Sequence, residues 1–282
     1  MHEQNQSNLV PEIPNITHQQ PSPQFEEFIN YNQCPLCGSE SFTSYRTGDC
    51  SKYPIYKPIL SPTIKWMKCN TCHHIFREGY YTDKALKVLF DETHTIQKVG
   101  NDLERQRIIS ARMIEKVLPY KSSGIWLDVG FGNGSLLFTA KEYGFTPFGV
   151  DLRQNNVDSI KKYGIQAVCH DINLLQLQPK CSVISMMDVL EHMPFPVQGL
   201  KTASNLLEAN GLLFLSMPNC DSTVWQAMDT SNSNPYWGEM EHYHNFGRTR
   251  LYSLLNESGF KPIRYGISER YRVCMEVIAI KQ

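Results

Sequence analysis

The sequence predicts an α/β chain: a mostly parallel sheet that binds a nucleotide-like ligand, preceded by a small cysteine-rich unit. Three observations predict it. An apolar run at 125–127 leads into Asp128-Val129-Gly130-Phe131-Gly132-Asn133-Gly134, and a second run at 148–150 ends in Asp151. Two further near-continuous apolar runs, 182–187 and 211–217, read as strands buried on both faces. Two Cys-x-x-Cys pairs, Cys34 with Cys37 and Cys69 with Cys72, stand apart near the amino terminus.

The first run, the glycine turn, an amphipathic helix over 135–143 and the second run form the opening of a nucleotide-binding sheet. Glycines suit the turn because a ligand must approach the main chain where a Cβ would block it. The helix behind them offers N–H groups without intrahelical partners. Asp151 stands where a carboxylate accepts both hydroxyls of a ribose. The glycine spacing is G-x-G-x-G, whereas a dinucleotide site wants G-x-G-x-x-G. Asp128, two residues before Gly130, would repel a phosphate but suits a cationic amino-acid ligand. An ordinary glycine-rich turn between strand and helix is the competing reading.

Downstream, Gln166-Ala167-Val168-Cys169-His170-Asp171 reads as a third short strand ending in an acid. The run 182–187 continues into Asp188-Val189-Leu190-Glu191-His192-Met193-Pro194, and the run 211–217 is stopped by Pro218-Asn219. Segments 262–265 and 272–280 read as a closing hairpin. In this order and spacing, the motifs over about residues 123–282 resemble those of class I S-adenosylmethionine-dependent methyltransferases of the type 23-like group. The resemblance implies a Rossmann-like seven-stranded sheet with an antiparallel last strand. It implies S-adenosylmethionine as cofactor, held by Asp128, Gly130, Phe131, Gly132, Gly134, Asp151, Leu152, Asp171, Ile172, Asp188 and Val189. Asp171 would then lie near the adenine amino group, with Asp188 and Val189 beside the amino-acid end. A nicotinamide-dependent oxidoreductase would more often continue with parallel strands or a separate substrate domain.

The two cysteine pairs let four thiolates meet in a tetrahedron about a zinc ion, so Cys34, Cys37, Cys69 and Cys72 are the expected ligands of one zinc ribbon at 29–78. Gly38 favours the tight turn of the first pair. The segment between the pairs exceeds the usual ~15–20 residues and holds Cys50 and a proline-bearing run over 53–62, so it reads as an excursion from the ribbon. Disulfides or an iron–sulfur site are the alternatives. Four cysteines close the coordination shell, which makes a structural ion the expectation. His73 and His74 read as neighbours of that site, and Cys169, Cys181, Cys220 and Cys274 as small core residues.

Residues 79–122 carry two helical patterns, one through Leu86, Val88, Leu89 and Phe90 and one through Leu103, Ile108, Met113 and Val117. They are expected to bridge the two units, and the methyltransferase resemblance implies that they fold over the cofactor as a lid. Tyr80 and Tyr81 either line that lid or pack the ribbon against the main domain. After a polar loop over 229–235 comes Trp237-Gly238-Glu239-Met240-Glu241-His242-Tyr243-His244-Asn245-Phe246, followed by a helix from about Thr249. Ligands bind at the carboxyl ends of strands in such sheets, and a histidine there takes a proton near neutral pH. This segment resembles the E-H-x-x-x-F stretch of bacterial small-molecule methyltransferases, including zinc-bearing nucleotide-sugar C-methyltransferases. Within these 282 residues the chain departs from the sugar enzymes in having a single α/β domain. The resemblance implies His242 as general base supported by Glu241, with His192 and Tyr80 lining the pocket of a small, carbohydrate-like acceptor methylated on oxygen or carbon. Capping of the next helix is the structural alternative for His242.

A net charge of −1 gives no global attraction to nucleic acid or anionic membrane, and no apolar stretch approaches the ~20 residues of a membrane span. Residues 1–28, rich in Gln, Asn, Pro and Ser, read as a disordered tail without signal-peptide character. Nine cysteines without such a signal fit a reducing, cytoplasmic setting. Lys52, Lys57, Lys65 and Lys68 make the ribbon locally basic, which keeps an RNA or protein substrate as a rival. The small molecule is favoured because Asp188-Val189-Leu190-Glu191-His192 is not the Asn/Asp-Pro-Pro-aromatic clamp that grips a planar nitrogen. A non-catalytic zinc-ribbon binding protein is the remaining alternative. The sequence leaves the oligomeric state open.

Overall fold

Five short strands lead the described chain: β1 (Phe28–Asn30), β2 (Phe42–Asp49), β3 (Thr63–Cys69), β4 (Ile75–Arg77) and β5 (Gly79–Tyr81). Two helices follow, α1 (Asp83–Leu89) and α2 (Leu103–Val117). The remainder alternates: β6 (Ile125–Val129), α3 (Ser135–Glu142), β7 (Thr146–Asp151), α4 (Gln154–Lys161), β8 (Gln166–Cys169), β9 (Cys181–Met187), α5 (Pro196–Leu206), β10 (Leu207–Pro218), α6 (Thr223–Thr230), β11 (His244–Asn245), α7 (Arg248–Glu257), β12 (Phe260–Ile267) and β13 (Cys274–Lys281). This is a computed structural model that describes residues 26–89 and 97–282. The expected tail up to residue 25, and Phe90 of the first bridging pattern, lie outside the described residues.

Seven strands form one sheet in the order β12-β13-β10-β9-β6-β7-β8. The five from β6 to β10 are mutually parallel, and β13 is inserted antiparallel between β10 and β12. This is the seven-stranded sheet with an antiparallel last strand expected from the sequence. Every residue of β9 is buried, which its position at the centre of a sheet covered on both faces requires. Successive strands run outward from β6 to β7 and β8 on one side and from β9 to β10 on the other. The strand order therefore reverses between β6 and β9, and a crevice opens there at the carboxyl ends. Asp128, Asp151 and Asp188 all lie at or just beyond those ends.

The cysteine-rich unit is built on β2, β3 and β4, paired antiparallel from Phe42 opposite Cys69 to Asp49 opposite Thr63. Its fourth strand comes from far along the chain. β11 pairs with β4, His244 opposite Phe76 and Asn245 opposite Ile75, so the order is β11-β4-β3-β2. Residues 50–62 leave this sheet between β2 and β3, as the long spacing predicted. A separate pair, β1 with β5, lies beside it. Part of the expected polar loop at 229–235 is instead helical: α6 runs to Thr230, its amino end capped by the Ser222 hydroxyl accepting from Trp225 N at 3.1 Å.

Candidate functional site

The glycine loop sits between β6 and α3 with Gly130, Gly132 and Gly134 all at positive φ, 67°, 53° and 79°. A Cβ on Gly132 would meet nothing nearer than 4.0 Å, so that stretch of main chain is open to an approaching ligand. Asp128 lies beneath the loop, buried, and accepts a 2.6 Å hydrogen bond from the Ser185 hydroxyl. Trp126 Nε1 donates to that hydroxyl at 2.8 Å, fixing its orientation. Burial raises the Asp128 carboxyl to about 7, against the opposing pull of the Ser185 hydrogen bond and the Arg270 charge. Arg270, from the turn between β12 and β13, joins Asp128, Gly130 and Met187 in lining one recess, and its Nη1 lies 3.6 Å from Asp188 Oδ2.

Asp151 is buried at the end of β7, but its lone pairs are engaged. Oδ1 accepts from the backbone N and Nε of Arg153 at 2.9 and 2.8 Å. Oδ2 accepts from Arg153 Nη2 at 2.8 Å and from Gly132 N at 3.3 Å. A carboxylate offers about four acceptor sites, and here Arg153 and Gly132 N take all of them. Sequence reading missed Arg153 because a cation two residues after a strand is common on any helix start. Leu152 is 75% exposed, an apolar side chain held open at the crevice, whereas Ile172 is buried. The Asp171 carboxylate accepts from Asn173 N at 2.8 Å and caps a short 3₁₀ turn. Asp188, at φ 57°, accepts from the Ser216 hydroxyl at 2.8 Å, and Val189 Cγ2 packs where a Cβ on Gly130 would fall, 2.9 Å away.

The four cysteines of the two pairs converge. Their sulfurs all lie within 4.8 Å of one another, with Cys34 to Cys72 at 3.7 Å and Cys37 to Cys69 at 3.6 Å. Four ligands ~2.3 Å from a zinc ion are about 3.8 Å apart, whereas a disulfide needs about 2.05 Å. Both knuckles turn on a positive-φ residue, Gly38 in the first and His73 in the second. The donor set and spacing fit a tetrahedral ion and not a disulfide.

Beyond the glycine loop lies a second cluster. His242, buried, bonds through Nε2 to Glu239 Oε2 at 2.8 Å. His192 donates from Nδ1 to the Glu241 carbonyl at 2.8 Å, and the two imidazoles meet edge-on with centroids 4.6 Å apart. Glu191 is fully buried, and neither of its oxygens, nor His242 Nδ1, has a hydrogen-bond partner among the described residues. Burial pushes the Glu191 carboxyl up to about 8, with His242 pulling the other way. Burial also lowers His192. For His242 burial acts downward, but the Glu239 hydrogen bond and the surrounding carboxylates outweigh it and the pKa ends above the usual histidine range.

One expectation changes here. The carboxylate hydrogen-bonded to His242 is that of Glu239, three residues back. The Glu241 carboxylate instead accepts from Tyr53 Oη at 2.8 Å. A backbone turn from Glu239 to His242, closed by His242 N donating to the Glu239 carbonyl at 3.4 Å, brings residues three apart together, a geometry that the linear pattern does not display. Tyr80 packs against Tyr31 and Phe195, centroids 5.3 and 5.2 Å away, which is the packing alternative.

The loop carrying Glu239 and His242 is held chiefly by the cysteine-rich sheet. Trp66 Nε1 donates to the Trp237 carbonyl at 2.9 Å, and Arg77 Nη1 to the Met240 carbonyl at 2.7 Å. Arg77 is buried, its guanidinium 4.5 Å from the Tyr81 ring and 4.8 Å from the Phe28 ring, so the Met240 carbonyl is bound by a cation caged in aromatics. Gly48 allows the close approach: a Cβ there would sit 1.8 Å from the Trp237 carbonyl oxygen. His244 donates from Nε2 to the Met193 carbonyl at 2.9 Å and accepts on Nδ1 from His74 Nε2 at 3.0 Å. This histidine pair ties the loop both to the segment after β9 and to the cysteine-rich sheet.

Residues 103–265 match the family model described as a methyltransferase domain. The chain belongs to this methyltransferase family. Over 118 residues it is 30% identical to the ubiquinone biosynthesis O-methyltransferase of Coxiella burnetii (strain RSA 493 / Nine Mile phase I), covering 39% of this chain and 50% of that protein. The chain thus spans about half the length of the curated relatives it matches. Among solved structures, the magnesium protoporphyrin IX methyltransferase of Synechocystis PCC 6803 with bound S-adenosylhomocysteine aligns with a TM-score of 0.50 at 16% identity, covering 64% of this chain and 88% of that one. A chain from the Haloferax volcanii complex of the Trm112 activator and a methyltransferase aligns at 0.52 and 12% identity, covering 63% and 91%. At these identities the likeness is one of fold. Among the described residues no helix is long and apolar enough to cross a membrane.

Proposed function

We propose that this methyltransferase moves the methyl group of S-adenosylmethionine to a hydroxyl of a small-molecule acceptor. The observation that carries the reading is the buried Asp128 carboxylate beneath an open glycine main chain, at the point where the strand order reverses. A carboxylate there pairs with the cofactor's ammonium group, while Asp151 serves the ribose, Leu152 and Ile172 the adenine faces, Asp171 the adenine edge, and Asp188 with Val189 the amino-acid end. Relatives named for O-methylation support an oxygen acceptor over carbon. In the transfer, the acceptor oxygen bonds to the methyl carbon and the sulfur leaves with the bonding pair as a neutral thioether.

The acceptor's proton goes to His242, which Glu239 orients through Nε2 and whose Nδ1 has no hydrogen-bond partner among the described residues. Cys34, Cys37, Cys69 and Cys72 hold one structural zinc ion, and the ribbon so formed sets the acceptor loop. An RNA substrate fits less well, since Lys65 faces Glu78 at 3.3 Å and Lys68 lies over the Tyr45 ring. Calorimetry with S-adenosylhomocysteine tests the cofactor: binding that weakens in Asp151→Ala is expected, and absence of binding refutes the reading. Incubation of the enzyme with labelled S-adenosylmethionine and cell extract, followed by mass spectrometry, identifies the acceptor. Label recovered in RNA or protein would overturn the small-molecule class.

A further inference from the structure

Three side chains at the acceptor end converge, and neither the Glu191 oxygens nor His242 Nδ1 has a hydrogen-bond partner among the described residues. Ligand atoms of Glu191, His192 and His242 lie within 4.8 Å of one another. His192 spends its Nδ1 proton on the Glu241 carbonyl, which leaves Nε2 as its free nitrogen. His242 bonds to Glu239 through Nε2, which leaves Nδ1. Glu191 has both oxygens bare, in full burial. A buried carboxylate without partners costs stability unless something occupies the site. Each imidazole, moreover, is steered by an oxygen acceptor on its other nitrogen, the arrangement that orients histidines toward a metal.

We propose that Glu191, His192 and His242 bind one divalent transition-metal ion at the acceptor end. The inference deepens the methyl-transfer reading above and rests on it for its role, though not for its existence. Small rotations bring the three atoms to the ~2.0–2.2 Å of metal–nitrogen and metal–oxygen bonds. Two imidazoles and one carboxylate suit manganese, iron, cobalt or zinc, and three protein ligands leave coordination positions open. An acceptor hydroxyl in an open position is acidified by the ion and ionises without a side-chain base. The oxyanion then attacks the methyl carbon, the sulfur keeps the electron pair of the broken bond, and the hydroxyl proton has already passed to solvent. His242 serves as ligand when the ion is present and takes the proton itself when it is absent.

Mn²⁺ is the probe, because thiolates bind it poorly and the four-cysteine cluster does not compete. Full-length protein is titrated with Mn²⁺ and the free ion followed by electron paramagnetic resonance, alongside calorimetry with S-adenosylhomocysteine. One bound Mn²⁺ per chain is expected, weakened at least tenfold in Glu191→Gln and about 10–100-fold in Glu239→Gln, which loses only the orienting carboxylate. Mn²⁺ should raise the melting temperature of the wild type and leave that of Glu191→Gln unmoved. No binding by the wild type at millimolar Mn²⁺ or Co²⁺ overturns the proposal, as does undiminished affinity in both variants. Nucleoside binding without ion binding sinks the ion site alone. Ion binding without nucleoside binding sinks the methyl-transfer reading instead.

Discussion

The two ends of the crevice, the proposed cofactor end and the proposed acceptor end, are built in opposite ways. The cofactor end is local: Asp128, the three glycines and Asp151 come from one stretch of 24 residues, and hydrogen bonds among neighbours such as Gly130 N to the Val150 carbonyl at 2.7 Å shape it. The acceptor end is assembled from afar. Glu239 and His242 are set by Trp66, Arg77 and Tyr53, more than 160 residues earlier in the chain. One end should therefore tolerate damage to the ribbon, and the other should not.

The largest separation is expected from His242→Asn, which removes the proton acceptor and a ligand of the inferred ion. Turnover should fall by about 10²–10⁴-fold while affinity for S-adenosylhomocysteine stays at the wild-type value. Single-turnover assays and calorimetry on one sample check both. Loss at both ends would dissolve the comparison.

Cys69→Ser breaks the four-cysteine cluster, the proposed zinc site, two strands away from the acceptor loop. Turnover is expected to drop on the order of 10²-fold, since displacing a positioned group by about 1 Å costs that much, again with nucleoside binding preserved. Should the variant bind S-adenosylhomocysteine poorly as well, the two ends share one folding unit.

Asp128→Ala probes the local end and should weaken nucleoside binding by about 1–3 kcal/mol. A pH series sharpens this. The Asp128 carboxyl is raised to about 7 by burial, so it is protonated below that pH and pairs poorly with an ammonium group. Affinity for S-adenosylhomocysteine should rise as pH climbs toward 7 and then level off. The ligand-free protein should behave oppositely. Its folded-state pKa exceeds the ordinary ~3.9, so this group's contribution to stability is intact below about pH 4 and lost as pH rises to 7. Affinity that is flat from pH 5.5 to 8 would contradict the assignment.

The smallest effect belongs to Arg153→Ala. Removing the guanidinium that occupies Asp151 should tighten nucleoside binding a few-fold, in line with the ~0.2–1 kcal/mol of a partly exposed ion pair. Weaker binding would make Arg153 a cofactor ligand and not a competitor.

Much of the local end was legible in the residues. Glycines at positive φ, an acid at or just past the ends of β6 to β9 and an unbroken apolar run for β9 are demands that a backbone makes on its own neighbourhood, so they leave short-range patterns. The paired cysteines belong here too, because each knuckle is a turn of a few residues. The rest depended on pairings that leave no such pattern. β11 is two residues long and acquires strand geometry only by lying against β4. Glu239 replaced Glu241 at His242 because the backbone turn from Glu239 to His242, in a loop held by Trp66 and Arg77, decides which carboxylate faces the ring. Arg153 on Asp151 and the bare Glu191 beside His242 are likewise matters of which side chains meet in space. Sequence by itself determined the backbone of the cofactor crevice, because glycine conformations and strand burial are set within a few residues. Only the tertiary structure decided the acceptor end, because the loop that sets Glu239 on His242 is held by hydrogen bonds from Trp66 and Arg77, more than 160 residues earlier in the chain.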